Sequence, residues 1–365
     1  PGPVAASPAP VTSLTTPFAG LTTPQINGTW TLTIRDGGGG DTGSITASNL
    51  TLTAAPVVPV DAANDVNGDG KSDYTVVRNV GGGPGGQMRW FYNTNGTGAP
   101  TVALDWGLAT TDVFLLEDFD GDLKDDITVW RSAPAGQAAF YILQSLTNTA
   151  RIDTFGQIGD DPTVIGDYDG DNKTDTAVYR AGAMANDPST WYYRGSLTPA
   201  TVTTIPWGKN GDFPSPGDYD GDGKNDFVIQ RNNGGGQAAF WRRNNDGSAS
   251  LTVFGTPTDV IVPGDYDGDG KTDYAVVRGV AGNYQWIYLA SSNSSINYIT
   301  FGASASDLVT QGDYNGDGKT DVAIWRPSAT PGGSFYVSRD TVSGAVQFFT
   351  FGQNGDYPVN NWNRH

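Results

Sequence analysis

An acidic phrase that recurs six times limits the possible folds of this chain more than any other sequence feature. Each copy has the form Asp-x-Asp-x-Asp-x-Lys-x-Asp, with asparagine in place of the second aspartate in two copies. Successive copies are 47 to 53 residues apart and begin at Asp65, Asp118, Asp167, Asp218, Asp265 and Asp313. A period of this length indicates an array of similar structural units.

Each repeat has the pattern of four short β-strands separated by turns. The acidic phrase is followed by a hydrophobic run ending in arginine, then an aromatic run, then a run ending in Trp-Gly or Phe-Gly. A fourth run leads into the next acidic phrase, and no stretch has helical periodicity. Four strands per unit of this size are typical of a propeller blade. We therefore predict an all-β fold, a β-propeller of four-stranded blades.

The acidic phrase has the spacing of a calcium-binding loop. Side-chain oxygens at positions 1, 3, 5 and 9, with the backbone carbonyl of the lysine at position 7, would converge on one hard cation. An EF-hand is excluded because helices do not flank the phrase and no glutamate stands at loop position 12. The predicted ligands are Asp65, Asn67, Asp69, Lys71 and Asp73 in loop 1; Asp118, Asp120, Asp122, Lys124 and Asp126 in loop 2; Asp167, Asp169, Asp171, Lys173 and Asp175 in loop 3; Asp218, Asp220, Asp222, Lys224 and Asp226 in loop 4; Asp265, Asp267, Asp269, Lys271 and Asp273 in loop 5; and Asp313, Asn315, Asp317, Lys319 and Asp321 in loop 6.

The net charge of the chain agrees with bound cations. The chain has 39 acidic and 21 basic residues and a formal charge of −18, which six divalent ions, carrying +12, would reduce to −6. Without cations, the carboxylates of each loop would repel one another. We therefore predict about six Ca²⁺ ions, with loop 2 the weakest site, because Leu123 stands where most copies have glycine and leucine disfavours a left-handed turn.

The repeated phrase and the Trp-Gly or Phe-Gly in step with it resemble the FG-GAP/VCBS repeats of integrin α-subunit propellers and many bacterial surface proteins. The resemblance covers roughly residues 56–363. It implies a propeller with calcium in its hairpin loops, a secreted or cell-surface location, and adhesion or extracellular ligand recognition without catalysis. The implied partner is a protein or glycan ligand, or further copies of the same chain.

Two basic positions also recur in all six repeats. We expect the lysine ammonium groups to face water, since only the lysine carbonyl is needed by a cation. The six arginines that end the hydrophobic runs would either form a ring for an anionic ligand or, as we favour, pair with a carboxylate or carbonyl of a neighbouring blade. They are Arg78, Arg131, Arg180, Arg231, Arg278 and Arg326.

The two ends of the chain suggest how the ring closes. Residues 1–17 have the composition of a linker, and residues 56–365 are predicted to form the propeller. Between them, residues 18–55 form a second segment, in which Asn27–Thr53 resemble the last strands of a P-domain. The C-terminus supplies one first strand, about Tyr357–Trp362, without its three partners. We prefer seven blades, the last completed by N-terminal strands, with six as the alternative. Pairing of these ends with a second chain would give an extracellular filament instead.

Catalytic motifs are sparse in the sequence. The chain has no cysteine and one histidine, His365, and most aspartates are accounted for by the loops. We therefore predict a protein without enzymatic activity, with a polysaccharide-active enzyme as the weaker alternative. Aromatic residues that could stack on sugars are expected in the core instead: Trp90, Trp191, Trp241 and Trp286. An acidic surface makes nucleic acid an unlikely partner, and no apolar stretch is long enough to span a membrane.

Overall fold

The computed structural model describes residues 62–94, 101–134 and 136–359. The chain divides into two units, Pro1–Val58 and Pro59–His365, and the described residues belong to the second. They form 24 β-strands in six antiparallel sheets of four, which confirms the all-β propeller. None of these residues forms a helix with the length and apolar character needed to cross a bilayer. The expectations for residues 1–17 and 18–55, including the P-domain resemblance, lie outside the described residues.

The strands follow the repeats in order, and each sheet is one blade. Blades 1 to 3 contain β24 (Tyr357–Pro358), β1 (Tyr74–Asn79), β2 (Gln87–Asn93) and β3 (Thr101–Leu108); β4 (Asp112–Glu117), β5 (Asp126–Arg131), β6 (Ala139–Gln144) and β7 (Thr149–Thr154); and β8 (Asp160–Asp161), β9 (Thr176–Arg180), β10 (Pro188–Arg194) and β11 (Thr203–Lys209). Blades 4 to 6 contain β12 (Phe213–Pro214), β13 (Phe227–Gly234), β14 (Gln237–Arg243) and β15 (Ala249–Val253); β16 (Val260–Ile261), β17 (Tyr274–Val280), β18 (Asn283–Leu289) and β19 (Ile296–Ala303); and β20 (Leu308–Val309), β21 (Val322–Arg326), β22 (Phe335–Arg339) and β23 (Val346–Thr350).

Burial changes from the second to the fourth strand of a blade. The second strand is buried on both faces, as in Asp126–Arg131, because neighbouring blades pack against it from either side. The fourth strand alternates between exposed and half-buried residues, as in Ile296–Ala303. Trp90, Trp191 and Trp286 of the third strands are at most 1% exposed, which confirms that they are core residues. Trp241 is half-buried instead.

The ring closes through a first strand that both ends of the chain share. Tyr357 and Pro358 pair with Val77 and Val76 of β1, and the Val359 N–H donates to the Thr75 carbonyl. Further along the same edge of β1, the Asp73 N–H donates to the carbonyl of Asn64, in the segment that leads into loop 1. The first strand of blade 1 is therefore divided between residues 62–64 and 357–359.

This shared strand makes six blades and corrects the preference for seven. The prediction from the sequence counted one first strand before loop 1 and another at the C-terminus. In the structure, residues 62–64 and 357–359 together form a single first strand. Blade 6 then packs directly on blade 1, where Tyr314 stacks on Tyr74 with ring centroids 5.4 Å apart. Within this structure, β24 pairs with β1 of the same chain. Assembly with a second chain through the two ends stays a prediction.

Aromatic stacking joins several neighbouring blades at one recurring place. The residue at loop position 2 packs against the residue that directly follows the next loop. Tyr168 stacks on Phe227 at 5.1 Å between blades 3 and 4, and Tyr219 on Tyr274 at 4.8 Å between blades 4 and 5. Stacked aromatic pairs add about 0.5–1.5 kcal/mol each to the burial of their surface.

Each blade also contains one ion pair between its second and first strands. The six recurring arginines bind six aspartates whose side chains are at most 1% exposed, and in five of the six pairs both carboxylate oxygens accept. The partners of Arg78, Arg131, Arg180, Arg231, Arg278 and Arg326 are Asp356, Asp112, Asp160, Asp212, Asp259 and Asp307. Ion pairing is confirmed, but the carboxylate lies on the same blade and not on a neighbour. The ring for an anionic ligand is not supported, because these guanidinium groups are already paired.

Candidate metal centres in six interlocked loops

The aspartate at position 1 organises every loop. Its Oδ1 accepts the N–H of the glycine at position 4 at 2.6–2.7 Å, and its Oδ2 accepts the N–H of position 6 at 2.6–2.9 Å, in all six copies. Position 6 adopts a positive φ throughout, which four loops meet with glycine. Asn172 and Leu123 adopt φ of 62° and 65° at this place. The predicted strain in loop 2 is therefore present, since leucine in this conformation costs about 1–2 kcal/mol.

The aspartate at position 9 is buried in every loop, with at most 1% of its surface exposed. One of its oxygens accepts the N–H of position 2 at 2.9–3.2 Å in all six copies. Burial, together with the charges of other loop aspartates, raises the pKa of Asp73 to about 8. The same causes raise the pKa to about 7 for Asp126, Asp175, Asp226, Asp273 and Asp321. The loops thus hold carboxyl groups in places that disfavour their charge unless a cation is present.

Four loops bring three carboxylates close enough together to hold a metal ion. One oxygen of each residue lies within 4.8 Å of the others in the groups Asp118, Asp120 and Asp122; Asp167, Asp169 and Asp175; Asp218, Asp220 and Asp226; and Asp265, Asp267 and Asp269. Clusters of this kind are common without an ion, so a second observation is needed.

Unpartnered buried oxygens supply that second observation. One carboxylate oxygen is buried without a hydrogen-bond partner in each of loops 1 to 5, namely Oδ1 of Asp73, Asp120, Asp169, Asp226 and Asp267. An unsatisfied buried acceptor costs about 1–3 kcal/mol, and more when it is charged. A hard cation would satisfy these oxygens, so the donor set fits Ca²⁺.

Loops 1 and 6 differ because asparagine stands at position 3. The Asn67 amide nitrogen donates to Asp69 at 3.3 Å, and the Asn315 amide nitrogen donates to Asp321 at 3.3 Å. The amide removes one negative charge from each loop while retaining one oxygen that could bind a cation.

The side chain of the lysine at position 7 lies against the preceding loop. We expected its ammonium group to face water instead. Its backbone N–H donates to the aspartate at position 5 in every loop, at 3.0–3.1 Å. Its side chain lies across the preceding loop, where a Cβ on the position-4 glycine would come within 2.7–3.1 Å of lysine carbons. The ammonium groups of Lys224 and Lys319 donate to the carbonyls of Asp169 and Asp267 in those preceding loops.

A closed belt of backbone hydrogen bonds connects the loops. The N–H of position 8 in each loop donates to the carbonyl of the position-1 aspartate in the preceding loop, at 2.6–2.7 Å. The Ser72 N–H donates to the Asp313 carbonyl and so joins loop 1 to loop 6. Each position-1 aspartate therefore has its carboxylate inside one loop and its carbonyl bonded to the next.

Two sets of polar residues beside the loops were missed from the sequence. In three blades, the serine at the turn after the third strand donates its hydroxyl to a loop aspartate at 2.5–2.9 Å; these are Ser145, Ser196 and Ser291. The aspartates of the ion pairs also accept an N–H just after the Trp-Gly or Phe-Gly, at 2.6–2.9 Å. These aspartates could have been found from the sequence, because an aspartate stands six or seven residues before each of loops 2 to 6.

Comparison with known proteins agrees with the repeat. The profile of the FG-GAP-like repeat matches residues 218–276 and 265–324, which contain loops 4, 5 and 6. No curated protein sequence gives a significant match. Among solved structures, a mutant of the Aleuria aurantia lectin in complex with Fucalpha1-6GlcNAc is 8% identical, with a TM-score of 0.40 over 78% of this chain and 96% of the lectin. A prolyl endopeptidase is 11% identical, with a TM-score of 0.39 over 80% of this chain and 50% of that chain. Neither likeness carries an argument about function.

Proposed function

We propose that this chain, a β-propeller built of FG-GAP-like repeats, is a non-enzymatic extracellular recognition or adhesion module that calcium stabilises. The observation that carries the proposal is the set of six interlocked loops: four of them bring three carboxylates within 4.8 Å, and five buried carboxylate oxygens have no partner among the described residues. A rigid ring of blades held together by cations is suited to presenting a surface to a protein or glycan ligand, and needs no reacting group.

The proposed extracellular location is supported by the affinity for calcium that we expect of such loops. Oxygen-only loops of this type in extracellular modules bind calcium with dissociation constants of roughly 10⁻⁴–10⁻³ M. Sites of that affinity fill outside the cell and stay mostly empty at cytosolic calcium concentrations. The location and the role in adhesion are parts of the proposal.

The experiment that tests the proposal counts and identifies the bound ions. Purified protein is depleted with EDTA, dialysed against 2 mM calcium, and analysed by inductively coupled plasma mass spectrometry. We expect about six calcium ions per chain, with magnesium unable to replace them at equal concentration because it demands a stricter octahedral geometry. Fewer than two calcium ions per chain, or equal retention of magnesium, would refute the calcium part of the proposal.

Loss of the position-3 carboxylate supplies a specific control. Asp267→Ala removes a ligand from loop 5 only, so the count should fall by one while the other loops stay filled. Asp246→Ala, which changes an exposed aspartate in a turn outside the loops, should leave the count unchanged. The recognition role is tested separately with a glycan array in calcium buffer.

A further inference from the structure

The contact between blades 2 and 3 lacks the aromatic stacking found at other contacts. At the place where Tyr168 meets Phe227 and Tyr219 meets Tyr274, blades 2 and 3 have Phe119 and Thr176. Thr176 is the smallest of the six residues that follow a loop, the others being Tyr74, Ile127, Phe227, Tyr274 and Val322. Phe119 and Thr176 both line a cavity of about 520 Å³. This volume lies in the range of roughly 300–1,000 Å³ that is usual for small-ligand sites.

Three cationic side chains line this cavity in a chain whose formal charge is −18. Arg151 is paired with Asp153 at 2.5 Å, but Lys173 and Arg194 form no ion pair with any described residue. Arg194 Nε is buried without a hydrogen-bond partner, while the guanidinium carbon lies 5.0 Å from the centre of the Phe155 ring. A buried guanidinium nitrogen without an acceptor is costly. The cavity therefore has an unmet need for an anionic acceptor beside Arg194.

In the part of the chain that the structure describes, the acidic groups that line the cavity form no ion pair with Arg194. Asp171 accepts the Ser196 hydroxyl at 2.5 Å, and Asp120 accepts the Leu146 N–H at 3.2 Å. Asp153 accepts two nitrogens of Arg151. Lys173 and Arg194 are thus the lining cations without an ion pair among the described residues, and the unpartnered Nε makes Arg194 the one with which we expect an incoming anion to pair.

We propose that this gap between blades 2 and 3 binds an acidic sugar, a uronate residue of a polysaccharide, whose carboxylate pairs with Arg194. The proposal names a ligand class for the recognition role above. The cavity borders loops 2 and 3, since Asp120, Asp171 and Lys173 line it, but Arg194 lies outside both loops. The calcium content of the loops and the binding of the sugar are measured separately.

The mixture of groups in the cavity favours a sugar over an acidic peptide. Besides its cations, the cavity is lined by carboxylates, by the Gln144 carboxamide and by the Ser196 hydroxyl, with Phe119 and Pro199 as apolar wall. A uronate offers one carboxylate for Arg194 and several hydroxyl groups that both donate to carboxylates and accept from amides. An acidic peptide brings further negative charges and few hydroxyl donors, so the remaining carboxylates would repel it. The cavity is also a concave site with the volume of a mono- or disaccharide site, and it is not the strand edge that extended peptides use.

The test is isothermal titration calorimetry in calcium buffer with trimers of galacturonate, glucuronate and mannuronate, each paired with the same trimer after reduction of its carboxyl groups. We expect the wild-type protein to bind at least one uronate trimer and not its reduced counterpart. Arg194→Gln should weaken that binding about tenfold or more, the expected effect of losing one charge-assisted contact. Thr176→Phe should abolish binding by filling the cavity with the residue that blade 4 already has at this place.

Two controls separate loss of the site from loss of the fold. Arg243 lies opposite Phe227 in blade 4, as Arg194 lies opposite Thr176 in blade 3. Arg243→Gln should therefore leave the affinity within about twofold of wild type, since blade 4 has an aromatic ring at this contact. The melting temperatures of Arg194→Gln and Thr176→Phe show whether each variant is folded, and either variant alone can decide the question.

Several results would overturn the proposal. These are no binding of any uronate trimer, equal binding of the reduced trimers, or an affinity unchanged in both Arg194→Gln and Thr176→Phe. Binding of inorganic sulfate as tight as that of the uronate would show an anion site without sugar selectivity. Tighter binding of an aspartate-rich peptide would assign the cavity to a protein ligand.

Discussion

The aspartate at position 9 of loop 4 allows a direct test of whether a buried carboxylate charge destabilises the folded protein when no cation is bound. Asp226 Oδ2 accepts the Tyr219 N–H at 3.0 Å, while Oδ1 is buried without a partner. Burial, and then the charge of Asp220, raise its pKa to about 7. Asp226→Asn can keep the bond from Tyr219 through its amide oxygen and place its NH₂ group near the neighbouring carboxylates. It removes the buried charge, and with it one ligand of a cation.

The pKa shift fixes both the sign and the size of the effect. With a folded-state pKa near 7 and an unfolded value near 3.8, the folded metal-free protein holds a proton that the unfolded chain releases between these pH values. Stability contributed by this group is therefore complete below pH 3.8 and is lost as the pH rises through 7. At pH 8 the charge costs the folded state about 4 kcal/mol, taking about 1.4 kcal/mol for each pH unit.

The advantage of the variant over wild type should consequently be large without calcium and small with it. In EDTA at pH 8, Asp226→Asn should raise the free energy of unfolding by up to about 4 kcal/mol, and at pH 4 by little. In calcium at about 100 times the dissociation constant, the variant lacks up to about 2.7 kcal/mol of binding stabilisation that wild type has, so its advantage should fall to about 1 kcal/mol. Urea unfolding followed by tryptophan fluorescence measures both.

Two outcomes would refute this reasoning. If Asp226→Asn destabilises the metal-free protein at pH 8, the charge of Asp226 is not a cost in the folded state. If calcium stabilises wild type and variant equally, Asp226 is not a calcium ligand. The matched control is Asp246→Asn, at an exposed turn outside the loops, whose stability relative to wild type should be the same in EDTA and in calcium.

Three further predictions concern other parts of the ring. Leu123→Gly should raise the free energy of unfolding by about 1 kcal/mol in urea unfolding, because glycine relieves the left-handed strain. A free energy of unfolding below that of wild type would show that φ at this position carries no penalty. Arg180→Met should lower it by about 2–4 kcal/mol because Asp160 is then left buried and unpaired, and adding Asp160→Asn should recover more than half; equal loss in both variants would contradict the charge argument. Deleting residues 356–365 should lower the melting temperature and raise the protease sensitivity of blade 1, since it removes β24 and the partner of Arg78, whereas an unchanged melt would show that the shared strand does not hold the ring.

The loop and the four strands of each repeat could be predicted because the same residue pattern occurs in all six copies. Six independent occurrences made the loop and its four strands visible, and the structure brings carboxylates together in the loops as the spacing indicated. The φ of Leu123 was predictable for the same reason, since the other copies show what that position requires. Calcium itself and the lysine carbonyl ligands remain predictions.

Features that depend on how neighbouring units meet could not be derived from one repeat. The blade count failed because two ends share one first strand, which no single repeat reveals. The lysine ammonium groups were expected to face water, whereas the lysine side chains lie across the preceding loop. A single repeat does not reveal this contact. The cavity beside Arg194 arises from a pair of positions in different repeats, Phe119 and Thr176, and becomes visible only when both are placed at the same contact.

The shared strand of blade 1 also determines how the propeller bears mechanical load. A pull applied through residues 62 and 359 would reach β1 from both directions along one edge, so blade 1 takes the force before any other blade. There the C-terminal part is held by the two pairs of β24, one further hydrogen bond and the ion pair of Arg78 with Asp356, whereas every other blade has its first strand joined to its second within one stretch of chain. Under tension the ring should therefore open at this seam, by unzipping a few bonds in succession, and blades 2 to 6 would stay folded until the seam has parted. Attachment at one end only would leave the seam unloaded.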